Sequence, residues 1–217
     1  MHKIKTIIIA TILSAFTVFA VSAAELGLTA GVNVKGVSLD AKGSESTSDQ
    51  NREETLEAIV GSIFLELSMG PVALGVEAIP YDIQGERVTN NRDGQTVDTG
   101  SNTVQVDLES NVGAYVLLDL GDTGAYAKLG ATYSEVITNE NMGASGSSYP
   151  NDELIGYHVS LGIEKELGNV SYRLEGTLSG YDDVVVPGKE EEGGSANTVT
   201  VSGLDGYSVG LSVIKNF

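Results

Sequence analysis

The 217 residues carry thirty Asp and Glu against twelve Lys and Arg, a net charge of −18, with 27 glycines, four prolines and no cysteine. A field of that sign repels phosphate backbones and offers no basic stripe, which excludes nucleic acid as a partner. The lack of cysteine excludes thiol redox chemistry and disulfide bracing, so the fold must rest on packing and backbone pairing.

In chain order, residues 1–24 read as a secretory signal: Lys3 and Lys5, an apolar stretch from Ile7 to Val21, then small residues ending Ser22-Ala23-Ala24. A retained membrane helix is the alternative for this segment. Cleavage after Ala23 or Ala24 leaves about 193 residues, enough for one domain spanning 25–217, with a net charge of about −20. No later segment has the eighteen or so consecutive apolar residues of a spanning helix.

The rest falls into runs of two-residue periodicity near 26–36, 56–66, 72–80, 103–119, 125–135, 154–166, 170–181 and 206–217. The fourth run is the clearest. Val104, Val106, Leu108, Ser110, Val112, Ala114, Val116, Leu118 and Leu120 are expected on one face, with Gln105, Asp107, Glu109, Asn111, Gly113, Tyr115, Leu117 and Asp119 on the other. The fifth places Leu129 and Tyr133 against Lys128 and Thr132. The sixth places Tyr157, Val159, Leu161 and Ile163 against His158, Ser160 and Glu164. The seventh sets Tyr172, Leu174 and Leu178 against Arg173, Glu175 and Thr177, and the eighth sets Tyr207, Val209, Leu211 and Val213 against Ser208, Gly210 and Ser212.

The connections alternate in length. Long polar stretches at about 37–55, 81–102, 136–153 and 182–205 alternate with short turns near 67–71, 121–124 and 167–169. Eight antiparallel strands with four long loops at one end and three short turns at the other produce this alternation, as in an outer-membrane barrel. Periodicity alone does not say which face is wet. A soluble calyx would turn its apolar face inward, whereas a membrane barrel turns it to lipid.

The segments "GAYAKLGATYS", "GYHVSLGIEKELG", "VSYRLEGTLSGYDDV" and "GYSVGLSVIKNF" resemble strands of the small opacity- and porin-type outer-membrane barrels of Gram-negative bacteria. The architecture resembles that of the OmpA transmembrane domain and OmpX. The resemblance implies an all-β, eight-stranded antiparallel transmembrane β-barrel in the bacterial outer membrane, displayed at the cell surface. It also implies outer-membrane lipid and the assembly machinery as partners. Tyr207, Val209, Leu211, Val213 and Phe217 match the family's terminal assembly signal, while Lys215 departs from that row.

Glu77, Asp107, Glu109, Lys128, His158, Glu164, Arg173 and Glu175 form the expected barrel-interior network. An eight-stranded barrel is just wide enough for side chains to fill, so the network is expected to neutralise charge and block flow. His158 is the only histidine after the leader, and no nucleophile motif, zinc motif or phosphate loop accompanies it. No catalytic or metal-ligating residue is assigned, and no enzyme activity is expected. Glu53, Glu54, Asp93, Asp182, Asp183, Glu190, Glu191 and Glu192 are candidates for loop interaction with an unknown surface partner, or for weak Ca²⁺ or Mg²⁺ binding. No cofactor is expected. The role expected is structural or surface-interacting. The alternatives are a narrow diffusion channel and a secreted lipocalin-like barrel that binds a small apolar ligand.

Overall fold

The structure is a computed structural model that describes residues 26–45, 48–91, 101–142, 149–187 and 198–217. The expected leader at 1–24 lies outside the described residues. In chain order the strands are β1 (Leu26–Glu45), β2 (Ser48–Met69), β3 (Val72–Ala78), β4 (Ile83–Gln84), β5 (Val88–Asn91) and β6 (Ser101–Asp119). They continue as β7 (Ala125–Met142), β8 (Asp152–Leu167), β9 (Val170–Tyr181), β10 (Val184–Pro187) and β11 (Thr198–Asn216). All pair antiparallel in one sheet, and the pairing of β1 with β11 from Thr29↔Asn216 to Glu45↔Val199 closes it into a barrel. Phe217 adds a backbone bond of 2.9 Å from its N–H to the Leu28 carbonyl. Closure leaves no open edge along that seam.

The expected count of eight strands is corrected: the described residues form an eleven-stranded sheet. The additional strands come from stretches read as loops. β3, β4 and β5 lie one after another along β6, and β9 and β10 lie one after the other along β11. Pro80, which has no N–H to donate, falls in the break between β3 and β4. The expectation of four long outer loops is corrected as well. The stretch at 37–55 is mostly strand, because β1 and β2 run on as a hairpin to Glu45 and Ser48, and β7 runs on to Met142. The three short turns sit where expected, at 70–71, 120–124 and 168–169, all at one end of the barrel.

A second correction concerns β6. Ser110 has a positive φ of 54°, and the pairing with β7 skips between Glu109↔Glu135 and Val112↔Tyr133. This is a β-bulge, and an extra residue in one strand exchanges the faces on either side of it. On the short-turn side of the bulge Asn111, Tyr115 and Leu117 point inward as expected, and all three are buried. On the far side Leu108, expected on the lipid face, turns inward and packs with Val136, Leu154, Val184, Val186 and Leu204. Asp107 and Glu109 thereby leave the face that carries the interior network.

The outer surface carries the apolar rows of β1, β2, β6, β7, β8, β9 and β11. Val32, Val34, Val116, Leu118, Val159, Leu161, Ile163, Leu174, Leu178, Val209, Leu211 and Val213 are 41–64% exposed. An apolar belt running round a whole molecule exceeds what a soluble monomer leaves in water. Exposed tyrosines flank it, Tyr157 and Tyr207 toward the outer end and Tyr172 toward the short-turn end, as expected for aromatic girdles at membrane interfaces. Of the expected assembly-signal residues, Tyr207, Val209, Leu211, Val213 and Phe217 all lie exposed, and Lys215 donates to the Asn169 carbonyl at 3.1 Å in a short turn.

Candidate functional site

Inside the barrel, large rings lie over glycines on the neighbouring strand. Gly31 is paired with Phe64, Gly75 with Tyr115, Gly162 with Tyr126, Gly130 with His158 and Gly156 with Tyr181. At each of these glycines an added Cβ would fall within the partner's ring. A narrow barrel accommodates interior rings by placing no side chain beneath them.

Toward the short-turn end, Arg173 is the hub. Its two terminal nitrogens reach the Glu66 carboxylate at 2.5 and 2.8 Å, and its Nε donates to Glu164 Oε2 at 2.7 Å. Glu66 also accepts from the Tyr115 hydroxyl at 2.8 Å, and the guanidinium lies 5.2 Å from the Tyr126 ring centre. Glu66 is 2% exposed. A carboxylate this deep is held by the bidentate fork and the phenol together, since either lost partner leaves a buried charge unmatched.

Farther along the lumen, Lys128 meets Glu175 at 2.6 Å, and Glu175 also accepts from the Tyr126 hydroxyl at 3.0 Å and from Thr177 at 3.2 Å. Next, Lys35 meets Glu77 at 2.7 Å, and Glu77 also accepts from Ser62. Three cations therefore face four carboxylates in these contacts, close to neutrality.

The geometry brings Glu77, Lys128, Glu164, Arg173 and Glu175 into these ion pairs. His158 lies nearby, but its Nε2 is buried with no hydrogen-bond partner among the described residues. Asp107 and Glu109 are placed elsewhere. Asp107 accepts from the Gly85 N–H at 3.2 Å, Gln105 at 2.9 Å and Asn139 at 2.7 Å, beyond the bulge. Glu109 lies opposite Glu135. Glu66, Lys35 and Tyr115 are network members that the sequence reading did not assign. Parity would have found Lys35, which shares a face with Asn33. Glu66 follows Val60, Ser62 and Phe64 on its face, and that mixed row gives no clear alternation.

Among the loop candidates, Glu53 pairs with Lys42 at 3.1 Å on the exposed β1–β2 hairpin, and Glu54 is exposed beside it. An exposed pair of this kind adds little stability. Asp182 and Asp183 are exposed between β9 and β10, and the Asp182 N–H donates to the Ile155 carbonyl at 2.9 Å. Asp93, Glu190, Glu191 and Glu192 lie outside the described residues. Among the described residues no group of three or more His, Asp and Glu is placed to hold a metal ion.

Two cavities flank the ion pairs. One, of about 900 Å³, opens among the short turns and is lined by Thr29, Asp119, Glu164 and Arg173. The other, of about 230 Å³, lies on the far side; Lys35, Glu77, Lys128 and Glu175 line it together with Val37, Leu39, Ile83, Leu108 and Leu154. They share no lining residue, and Glu66, Tyr115 and Tyr126 line neither.

No protein-family model and no curated protein matches the sequence. Several solved outer-membrane proteins are similar in structure. Neisserial surface protein A is 15% identical, with a TM-score of 0.39 over 86% of this chain and 97% of its own. Ail, the attachment invasion locus protein of Yersinia pestis, is 11% identical, with a TM-score of 0.42 over 88% and 99%. OprG from Pseudomonas aeruginosa is 7% identical, with a TM-score of 0.51 over 85% and 95%. Identities this low speak to fold alone, and they spread over several kinds of outer-membrane protein without singling out the opacity type. By its fold and its lipid-facing belt, the chain is a small bacterial outer-membrane β-barrel.

Proposed function

We propose that this barrel is a non-catalytic outer-membrane protein with a closed lumen, which acts through its membrane wall and its acidic outer end. The observation that carries the reading is the separation of the two cavities by the Arg173–Glu66 and Lys128–Glu175 pairs and the Tyr115 and Tyr126 rings. A through-channel would have to break buried ion pairs, each costing several kcal/mol to disrupt, on the order of 3–5. The acidic hairpin and β9–β10 segment, with Glu53, Glu54, Asp182 and Asp183, supply the surface for a cell-surface partner. Weak Ca²⁺ or Mg²⁺ association with these acidic segments belongs to the same proposal.

Reconstitution of the folded mature protein in planar lipid bilayers tests the closed lumen. The expected record is silent, with no discrete conductance steps, from protein whose electrophoretic mobility still shifts on boiling. Steady single-channel steps from such heat-modifiable protein would overturn the reading in favour of a narrow diffusion channel.

A further inference from the structure

Among the described residues the wall of the barrel has a gap. β2 pairs with β3 only from Ile63↔Ala78 to Met69↔Val72. From Glu53 to Ser62, β2 has β1 on one side and no strand on the other among the described residues. At the foot of this gap the Gly61 N–H donates to the Tyr81 hydroxyl at 2.6 Å, a side chain in place of a ladder bond.

The gap leads inward. Leu56, Ala58 and Val60 pair with Leu39, Val37 and Lys35, so they share the lumen-facing row, and all line the 230 Å³ cavity. Yet Leu56 is 53% exposed. Leu56 lies on the lumen-facing row and is half exposed, so the cavity reaches the surface at β2 beyond the end of β3. Just outside, Ile59 at 82% and Ile63 at 50% continue the apolar belt on β2. The mouth therefore opens at the outer margin of the lipid-facing belt.

The lining and size select the occupant. The cations at the inner end, Lys35 and Lys128, are already matched by Glu77 and Glu175, so the cavity has no charge to offer. The outer part is aliphatic, from Leu39, Leu108 and Leu154. A volume of 230 Å³ exceeds the roughly 150 Å³ that admits benzene to an apolar protein cavity and falls short of a drug-sized pocket, about 300 Å³ and upward. We propose that this chamber binds a small uncharged apolar molecule, of one or two aromatic rings, which passes between it and the membrane through the gap beside β2 beyond the end of β3.

The inference rests on the membrane-barrel reading but not on the silent conductance, so the two can fail separately. The test is a titration of lipid-nanodisc protein, labelled at leucine methyls, with toluene as the probe. Saturable shifts are expected at Leu39, Leu108 and Leu154, with only linear, partition-like drift at Leu161 and Leu211 in the belt. Ala58→Arg at the mouth and Leu108→Trp in the chamber should each weaken the saturable response roughly tenfold or more. Val37→Phe replaces either variant that loses its heat-dependent mobility shift. The proposal is overturned if chamber and belt methyls drift alike, or if toluene binds both altered proteins as well as the parent. It is equally overturned if palmitate saturates the chamber and toluene does not, which would assign it to a lipid chain.

Discussion

Gly75 and Tyr115 show how single residues set the interior. They face each other across β3 and β6, and a Cβ at position 75 would sit within the tyrosine ring. Moving that ring would draw its hydroxyl away from Glu66, the carboxylate that holds Arg173. Gly75→Ala is therefore expected to cost about 1–3 kcal/mol from overpacking, with the lost Tyr115–Glu66 bond adding to it. Gly36 is the matched control: nothing lies within 4 Å of where its Cβ would go. Gly36→Ala should change stability by less than about 0.5 kcal/mol. Urea midpoints of the two variants in phospholipid vesicles check this. Equal midpoints would mean that the ring-over-glycine contact does not govern the interior.

At the scale of the element, the bulge in β6 decides which side chains meet the chamber. Ser110 holds a left-handed backbone that disfavours a side chain by roughly 1–2 kcal/mol, and the strand keeps it because Leu108 is thereby delivered to the cluster around Val136. Deleting Ser110 would remove the extra residue and restore regular pairing between Glu109↔Glu135 and Val112↔Tyr133, so Leu108 would stay inward and Glu109 outward. The chain has no cysteine, so Leu108→Cys gives a clean reporter. Its labelling by a water-soluble maleimide should be slow in the parent, slow in Ser110→Gly, which keeps the bulge, and slow in the deletion, which keeps position 108 on the inner face. Fast labelling in the parent would place Leu108 outside.

Alternation made most of the belt legible, from Val159 on β8 to Val213 on β11, because lipid on one side and packed polar groups on the other enforce a strict period of two. It could not show the bulge, since Ser110 continues the period while the backbone breaks it. It also hid the strands beyond the membrane. Residues 53–57 are exposed to water and carry Glu53, Glu54 and Glu57, so their composition reads as loop although their backbone pairs with β1. The interior pairs were half visible: Lys128, Arg173 and Glu175 stood out on apolar strands, whereas Glu66 was masked by Phe64 and Val60 on its own face.

At the scale of the whole molecule, polarity is inverted, with charges paired inside and an apolar surface outside. That inversion fixes the effect of a new charge by its height on the wall rather than by its burial. Leu211 is 57% exposed and lies on β11 between the Tyr207 girdle and Lys215 near the short turns, whereas Val185 is 50% exposed but belongs to β10, beyond the belt. In a soluble protein two such exposed positions would accept lysine about equally well. In this barrel Leu211→Lys is expected to destabilise the folded protein in phospholipid vesicles by about 2–4 kcal/mol, because the ammonium must leave hydrocarbon or thin the bilayer around it. Val185→Lys, in water, should cost less than about 0.5 kcal/mol. Lys215 is the internal precedent: near the short turns its ammonium reaches the Asn169 carbonyl and can lie among headgroups. Urea unfolding of the two variants in vesicles decides the matter. A large loss at position 211 alone follows from lipid contact along the belt, and equal small losses at both positions would mean that water, not lipid, covers that surface.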